Sequence, residues 1–444
     1  MGARISQHLR RDAVTILRGA LAGCSPERLL SSQLRFDAGS LVGPDFRIQL
    51  EPKEKVFVLA VGKASASMAR GILSILSAER VDGLMVIPLG SESVAGPLKM
   101  LHGDHPVPNA DSFRAGRRLL RWTSSVGAGR HVIHLISGGA SSMAAVPLSP
   151  LLGTMEKSLL HRLLVGCGLG IREVNVVRKH FSGIKGGRLL ARAPRAHHLT
   201  LLLSDVPREC PDAVGGGPTL PDPSTWDECL ELLRKSGLIS QLPDRLGVRL
   251  QRERWPETPK PGDPNFSGQL WRVVGDSDSL LEEAARRARQ LGYETRTLQG
   301  SVEDSPEPFL DRLFQTRDRW VGSKNRPRCL LAAGEVRVRC PLGQGQGGRA
   351  QDLAVAAALR MRGMRGCLFL AAGSDGVDGN SPAAGSLADP NTIARARRRG
   401  LDPEVLRALG DTHRLFRRLG DCVVTGPTGN NLRDLYLFLE IARE

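Results

Sequence analysis

The sequence predicts an α/β protein of two domains, the first built on a parallel sheet. Its 444 residues are several times the length of a usual single domain. Short apolar strands without polar alternation are separated by helical segments, which is typical of a parallel sheet covered on both faces. A proline-rich, charged stretch divides the strands into two series. The first domain is therefore expected to be Rossmann-like, and the second to be α/β with a mixed sheet.

The strand and helix patterns predict the domain boundaries. Apolar runs in the first half predict strands at 55–61, 83–87, 131–136 and 199–203. Crowded prolines favour a linker, so we expect a first domain over residues 1–245, a linker over 246–268 and a second domain over 269–444. Strands of the second domain are predicted at 271–274, 293–298, 329–333, 335–339, 367–372 and 422–425, with antiparallel pairing of 329–333 with 335–339.

Composition excludes several function classes. The net charge of +16 favours anionic ligands, but basic residues come in short bursts and aromatic residues make up only 4%, which disfavours nucleic-acid binding. The eight cysteines show no metal-ligand spacing and are expected to be reduced thiols. No apolar run is long enough to cross a membrane. We expect a soluble, cytoplasmic protein; the Arg-rich start leaves the mitochondrial matrix open, and a homodimer also stays open.

Two junctions in the first domain suggest an anion site. Lys63 follows the strand at 55–61, and the small-residue loop Ser137-Gly138-Gly139-Ala140-Ser141 follows the strand at 131–136. Parallel strands present their carboxyl ends at one edge of a sheet, where ligands bind. Small residues let backbone N–H groups approach a phosphate or carboxylate. A tight packing turn and a solvated lysine are the open alternatives.

Two further segments of the first domain carry charge. Lys185 and Arg188 flank the pair Gly186-Gly187, which indicates either anion capture or a basic helix start. Asp205 stands at the tip of the strand at 199–203 and Glu209 follows it. These carboxylates are candidates for holding Mg²⁺ or accepting a hydroxyl proton, although acidic residues are also common in plain turns.

The second domain has a glycine loop and an acidic turn. Residues 343–348 match the GxGxxG pattern, but an acidic residue about twenty positions later, expected for a dinucleotide site, is missing. A loop in which Gly347 and Gly348 present Arg349 to a phosphate is the better interpretation, because a guanidinium can bind two phosphate oxygens. Asp375, after the strand at 367–372, suits a turn or a weak metal site.

Taken in order, these stretches resemble the class II glycerate kinases, whose second domain is called MOFRL. The resemblance covers nearly the whole chain. Its motifs are Val61-Gly62-Lys63-Ala64, His105-Pro106-Val107-Pro108-Asn109, the Ser137 loop, Ile184-Lys185-Gly186-Gly187-Arg188, Ser204-Asp205-Val206, Gly217-Pro218-Thr219, Gly348-Arg349, Ser374-Asp375-Gly376-Val377-Asp378-Gly379 and Thr425-Gly426-Pro427-Thr428-Gly429.

The resemblance implies an activity and a cofactor set. It implies phosphorylation of D-glycerate by ATP with Mg²⁺, usually to 2-phosphoglycerate, in a cleft between the two domains. It also implies that Lys63 and Arg349 are the charged catalytic pair. Cations that neutralise the transferred phosphoryl group are what such a reaction needs. Asp205 is the first choice for base or metal ligand, with Glu209 and Asp375 as further metal candidates.

The sequence departs from the family pattern at several positions. Arg208-Glu209 replaces a Gly-Asp pair, Gly216 replaces a serine, Ala350 and Asp352 replace an asparagine and a glutamate, and Pro382 replaces an acidic residue. Two alternatives therefore stay open beside the kinase. One is an NAD(P)-dependent hydroxypyruvate reductase, suggested by the glycine pattern. The other is a kinase paralogue that binds ligand without turnover.

Overall fold

The computed structural model describes residues 2–89, 91, 96–148, 152–253, 255–300, 302–321, 325–338 and 345–442. The chain forms two compact units. Residues Pro26–Val274 form the first, called here the core unit, and Met1–Ser25 with Gly275–Glu444 form the second, called the terminal unit. Within the described ranges, no helix has both the length and the apolar character needed to cross a membrane.

The first helix, α1 (Gly2–Gly23), belongs to the terminal unit, whereas the sequence predicted one domain over residues 1–245. Its apolar stripe of Leu9, Ala13, Ile16 and Leu17 is at most 1% exposed and packs within that unit. The helical spacing of these four residues predicts that one face of α1 is apolar. It could not show which surface covers that face, because amphipathic periodicity contains no information about the partner.

The core unit contains a small antiparallel sheet and a six-stranded sheet. The small sheet has strand order β1-β2-β3, and the large one β6-β5-β4-β7-β8-β9. The strands are β1 (Arg35–Asp37), β2 (Ser40–Val42), β3 (Arg47–Gln49), β4 (Val56–Val61), β5 (Val81–Pro88), β6 (Leu98–Gly103), β7 (His131–Ser137), β8 (His197–Leu203) and β9 (Leu270–Gly275). The helices are α2 (Pro26–Gln33), α3 (Ser65–Ile75), α4 (Ala110–Ser124), α5 (Ala140–Met143), α6 (Thr154–Gly166), α7 (Ile171–His180), α8 (Trp226–Lys235) and α9 (Asp244–Arg252).

The strand order of the large sheet creates a switch point. Strands β4 to β8 pair in parallel, which confirms the predicted Rossmann-like sheet. From β4 the chain runs outward through β5 to β6, and it then returns to place β7 on the other side of β4. The connections from β4 and β7 therefore lead to opposite halves of the sheet, and such a switch point is where open parallel sheets bind ligands.

The proline-rich segment is not a free linker. Its Trp255 is 1% exposed and stacks on Trp226 with ring centroids 5.3 Å apart. The backbone N–H of Asp222 donates to the carbonyl of Pro259 (2.8 Å), and Thr258 Oγ1 donates to the Asp222 carboxylate (2.9 Å). Strand β9, predicted for the second domain, joins the first sheet. Proline and charge density predicted a linker over 246–268, but they did not reveal that this segment starts within α9 and that the residues after it are packed.

The terminal unit contains a mixed six-stranded sheet of order β10-β11-β15-β12-β13-β14. Its helices are α10 (Ser277–Gln290), α11 (Pro306–Asp318), α12 (Arg349–Arg360), α13 (Thr392–Arg398), α14 (Pro403–Ala408) and α15 (Thr412–Leu419). Its strands are β10 (Glu294–Thr297), β11 (Arg328–Gly334), β12 (Cys367–Gly373), β13 (Gly385–Ala388), β14 (Cys422–Val423) and β15 (Asp434–Glu440).

The mixed character of this sheet is confirmed, but its origin differs from the prediction. Strand β15 lies antiparallel between β11 and β12. Residues 335–338 form no strand, so the predicted pairing of 329–333 with 335–339 was wrong over the described residues. Strand β15 was not predicted, because an apolar run does not by itself show that it returns to the centre of a sheet.

Candidate active site

The loops after β4 and β7 meet at the switch point. The backbone N–H of Lys63 donates to the carbonyl of Gly138 (2.8 Å), and that of Ala64 donates to Ser137 Oγ (3.1 Å). Gly62 has φ of +126°, and a Cβ atom there would lie 2.3 Å from Ser137 Oγ. Glycine is therefore required for this contact. The structure brings Lys63 and the Ser137 loop together, as their positions after adjacent parallel strands predicted.

Gly139 lies against two basic side chains. It has φ of +84°, and a Cβ atom there would lie 3.0 Å from Lys63 Cγ and 3.3 Å from His105 Cδ2. The Lys63 and His105 side chains therefore both border the small-residue loop. Ser137 is buried, and its hydroxyl accepts the Ala64 N–H described above. The Ser141 hydroxyl is buried without a hydrogen-bond partner among the described residues.

Lys185 lies beneath the Ser137 loop and is 1% exposed. Its Nζ donates to the carbonyl of Ser141 (2.5 Å). Burial, together with nearby Arg178, lowers the pKa of Lys185 to about 7. Gly216, one of the departures from the family pattern, has φ of +78°, and a Cβ there would lie 2.7 Å from Lys185 Cδ. This glycine accommodates the buried lysine.

Arg188 is held by backbone carbonyls. Its Nη1 donates to Lys179 O (2.9 Å) and Ser182 O (2.7 Å), and its Nη2 donates to Pro256 O (3.1 Å) and Glu257 O (3.3 Å). Four carbonyls surround the guanidinium, which indicates that Arg188 holds the segment at 256–257 in place rather than binding an anion. The sequence could not distinguish the two, because the carbonyls come from distant loops.

Asp205 and Glu209 differ in their surroundings. Asp205 follows β8, the strand next to β7, at the same edge of the sheet as Lys63 and the Ser137 loop. Glu209 is 72% exposed and lies 3.9 Å from Arg172. Position therefore favours Asp205 over Glu209 as a group that meets a ligand.

In the terminal unit, Arg349 begins α12 and is surrounded by carboxylates. Its Nε donates to Asp434 (2.7 Å), and its Nη2 donates to Glu335 (2.6 Å). Burial lowers the pKa of the guanidinium, but Asp434 and Glu335 outweigh burial and raise it well above its usual value. Asp434 is 4% exposed, whereas about a third of the Arg349 side chain is exposed. Arg349 is thus a fixed cation held on two carboxylates.

The glycine loop before α12 is bonded to its surroundings. The N–H of Gly347 donates to Asn380 Oδ1 (2.8 Å). The N–H groups of Ala350 and Gln351 donate to the buried Asp378 carboxylate (3.0 and 2.8 Å). A dinucleotide loop would offer this helix terminus to a pyrophosphate. Here Asp378 already occupies it, while residues 343 and 344 of the pattern lie outside the described part of the chain.

Asp375 and Asp434 of the terminal unit both lie near Gly373. A Cβ atom on Gly373 would lie 3.2 Å from Asp375 Oδ1 and 3.4 Å from Asp434 Oδ1. Burial and then Asp434 raise the pKa of Asp378 to about 7. In the described ranges of both units, no group of three or more His, Cys, Asp or Glu residues has an arrangement that could hold a metal ion. A metal here would need ligands from a substrate as well.

Each unit therefore presents a cation and a carboxylate: the two share a sheet edge in the core unit and are hydrogen-bonded in the terminal unit. The core unit offers Lys63, a small-residue loop and Asp205 at one sheet edge. The terminal unit offers Arg349 with Asp434 and Glu335. Cations and backbone dipoles next to carboxylates are suited to binding anions and to supporting transfer of a charged group.

Comparison with known families identifies the chain. A model described as a domain of unknown function, DUF4147, matches residues 12–251, and the MOFRL family model matches residues 328–434. The D-glycerate 2-kinase of Thermotoga maritima is 30% identical, with 98% of this chain and 99% of the relative covered. The chain belongs to the class II glycerate kinase family.

Two further relatives bear on this family assignment. A crystal structure of glycerate kinase from Thermotoga maritima superposes with a TM-score of 0.79 at 28% identity, covering 98% of this chain and all of the other. A relative in Agrobacterium vitis, 32% identical over 87% of this chain and 88% of its own length, carries a provisional hydroxypyruvate reductase name. The kinase fold thus spans the whole chain, and the reductase name also occurs among its relatives.

The structure adds residues that were not predicted as site residues. Glu335, Asp434 and Asp378 surround the start of α12, and His105 borders Gly139. Asp434 carried a recognisable signal, since it is a charged residue that opens an apolar run. No sequence feature predicted the role of Glu335, because that role depends on the position of Arg349 in the folded protein.

Proposed function

We propose that this glycerate kinase family member transfers the γ-phosphoryl group of ATP to D-glycerate and forms 2-phosphoglycerate. The observation that carries the proposal is full-length similarity to glycerate kinases together with Lys63 at the switch-point edge of the sheet. Open parallel sheets bind ligands at that edge. A lysine there can neutralise the charge of a phosphoryl group in transfer.

Lys63 and the Ser137 loop supply the anion-binding part of the proposal. The loop's backbone is held in place by the Lys63 N–H bond to Gly138 O. Ser137, Gly138, Gly139 and Ser141 leave room for a phosphate or carboxylate group because their side chains are small. The Lys63 ammonium binds the transferred group in this scheme, and the loop orients it.

Arg349 supplies a second cation in this proposal, from the terminal unit. Its bonds to Asp434 and Glu335 fix the plane of the guanidinium. A fixed guanidinium loses little side-chain freedom when it binds phosphate oxygens. Gly347 and Gly348 precede this arginine, and Gly348 has to be a glycine because a Cβ atom there would lie 2.2 Å from Asp378 Oδ1.

ATP and Mg²⁺ are the expected co-substrate and metal. Magnesium in kinases is held through one or two carboxylates plus phosphate oxygens and water, so a dedicated protein cage is not needed. Asp205 fits such a role by its place at the sheet edge, with Glu209 and Asp375 as weaker candidates. Bound Mg²⁺ would neutralise phosphate charge, and Asp205 alternatively would accept the hydroxyl proton of glycerate.

A coupled assay for glycerate-dependent ADP release tests the proposal. We expect Lys63→Ala to lower turnover by roughly two to four orders of magnitude while the thermal midpoint stays near wild type. Lys55→Ala is the matched control, since this exposed lysine precedes the opposite end of β4. Equal turnover in the two variants would remove Lys63 from the mechanism.

Arg349→Lys tests the second cation. A single ammonium cannot replace the fork that joins Asp434 and Glu335, so we expect a loss of at least about a hundredfold in turnover. Arg407→Lys is the control, because Arg407 also binds two carboxylates, those of Asp352 and Glu307, in the same unit. Both variants should lose some stability, but only Arg349→Lys should lose the kinase reaction.

The hydroxypyruvate reductase is a second candidate because a relative carries that name. The Asp378 carboxyl group at the start of α12 opposes it, since its oxygens already accept the two N–H groups that a pyrophosphate would need. Oxidation of NADH or NADPH by hydroxypyruvate in the absence of ATP would favour the reductase. Folded protein that shows neither reaction, with Mg²⁺ supplied, would indicate a paralogue that only binds.

A further inference from the structure

A group of basic side chains lies buried in the core unit behind the Ser137 loop. It consists of Lys157 and His161 on α6, Arg178 on α7, and Lys185, and we call it the basic cluster. Lys157, His161 and Lys185 are at most 1% exposed. Burying positive groups is costly unless an opposite charge accompanies them.

The partners of the basic cluster are neutral. Lys157 Nζ donates to the carbonyls of Phe181 (3.0 Å) and Arg178 (3.4 Å), and Lys185 Nζ donates to Ser141 O (2.5 Å). Neither ring nitrogen of His161 has a hydrogen-bond partner among the described residues. A fully buried imidazole with both nitrogens unsatisfied is rare in native proteins and indicates a missing partner.

Electrostatics agree with this geometry. Burial lowers the pKa of His161 well below its usual value, and Lys157, Lys185, Arg178 and His105 lower it further. Burial followed by Arg178 lowers the pKa of Lys185. The groups that act on these two residues are therefore basic, and the cluster lacks a counter-charge.

The basic cluster adjoins the anion loop. Lys185 bonds directly to Ser141, whose own hydroxyl is buried without a partner in the described chain. His105 acts on the pKa of His161 and also lies beside Gly139. Helix α6 contacts the same region, because Ser158 Oγ donates to Pro108 O (3.4 Å). His161 is therefore near enough to both His105 and Lys185 to interact with their charges.

We propose that His161 and Lys185 form the buried wall of the anion site behind Ser141, and that the anionic group of the substrate supplies the counter-charge which this wall lacks. The inference rests on the proposed function and extends it to two residues of the core unit. The ligand chemistry is a carboxylate or a phosphate group. A hydroxy acid and a nucleotide both carry such groups.

Anion binding at this wall has a proton signature. An anion stabilises the protonated imidazole and ammonium, so the complex takes up protons that the free protein does not hold. In the free protein, burial and then the neighbouring basic groups lower the pKa values of His161 and Lys185, so fewer of these protons are held near neutral pH. With one proton taken up per anion, affinity falls about tenfold for each unit of pH above neutrality.

Isothermal titration calorimetry of the whole chain tests this inference. D-Glycerate alone and inorganic phosphate alone are titrated from pH 6.5 to 8.5, in buffers of different ionisation enthalpy. We expect proton uptake with one of these two probes, which identifies the group that occupies the wall. His161→Gln and Lys185→Met should each weaken that binding at least tenfold and flatten its pH dependence.

His198→Gln is the matched control, since His198 is also a buried histidine of this unit but bonds to His134 and Ala193 O. The His198→Gln variant should bind D-glycerate and phosphate as tightly as wild type does, with the same pH dependence. Should the His161 variant fail to fold, nitrogen-15 spectra of histidines in the wild-type chain report directly whether the imidazole becomes doubly protonated on anion binding.

Two outcomes overturn the inference. One is binding of both probes without proton uptake and with an unchanged imidazole spectrum. The other is no binding of either probe to protein that turns over glycerate. Proton uptake with phosphate in a protein that lacks kinase turnover would support the inference and overturn the proposed function, so the two failures are distinguishable.

Discussion

Replacing Arg10 by methionine should destabilise the terminal unit. Arg10 lies on α1, and its guanidinium joins Asp421 (2.6 Å) and Asp389 (2.5 Å). These carboxylates are 3% and 7% exposed. Methionine keeps the length of the stem but removes the charge, which leaves buried carboxylates with less compensation.

The expected loss follows from the burial of these groups. Breaking a buried ion pair costs about 3–5 kcal/mol. Arg10 is one fifth exposed, and Asp421 also pairs with Arg395, so we expect the lower part of that range, about 3 kcal/mol. For a unit of roughly 200 residues this corresponds to a thermal midpoint lowered by about 6–12 °C.

The effect should also depend on pH. Burial alone would raise the pKa of Asp389, but the hydrogen bond and charge of Arg10, together with the charge of Arg395 and the N–H of Asn391, outweigh burial and lower it. A lowered carboxyl pKa stabilises the folded state above the unfolded value of about 3.9, and the stabilisation is lost as pH falls through the folded value. The difference between wild type and Arg10→Met should therefore shrink below about pH 4.

Differential scanning calorimetry at pH 7 measures this loss. Arg11→Met is the control on the same helix, because Arg11 is 72% exposed and lies 3.7 Å from Asp12. It should change the midpoint by less than about 2 °C, as exposed pairs contribute little. If Arg10→Met and Arg11→Met unfolded at the same temperature, the ion pairs of α1 would not stabilise the terminal unit.

Two further variants test the core unit. Gly139→Ala should lower turnover at least tenfold, because its Cβ would lie 3.0 Å from Lys63 Cγ. The control is Gly129→Ala, which has a similar positive φ but nothing within 4 Å and should affect only stability. Equal kinetics of the two variants would show that the loop tolerates a side chain. Trp255→Ala should cost about 3–5 kcal/mol by chemical unfolding, whereas Trp271→Ala, which removes a 49% exposed ring, should cost under about 1 kcal/mol. Similar losses for the two tryptophans would mean that the proline-rich segment is not packed.

The predicted elements of the candidate site were those with strong local signals. Strands β4, β7 and β8 are short apolar runs that end at Val61, Ser137 and Leu203, next to small or polar residues, so their type and their ends could both be predicted. Parallel pairing then placed Lys63 and the Ser137 loop at one edge. The roles assigned to Lys185 and Arg188 could not be decided in this way, since a basic residue beside glycines suits either an anion or a backbone carbonyl.

The sequence by itself determined the two α/β halves, the mixed second sheet and the position of Lys63, because strand patterns and glycine junctions are encoded over a few neighbouring residues. Tertiary structure alone decided that α1 belongs to the terminal unit, that Trp255 is buried, that Arg349 is held by Asp434 and Glu335, and that His161 lacks a partner. These features join residues far apart in the chain. Local patterns show which helix face or polar group needs a partner, but only the tertiary structure determines whether a partner is present.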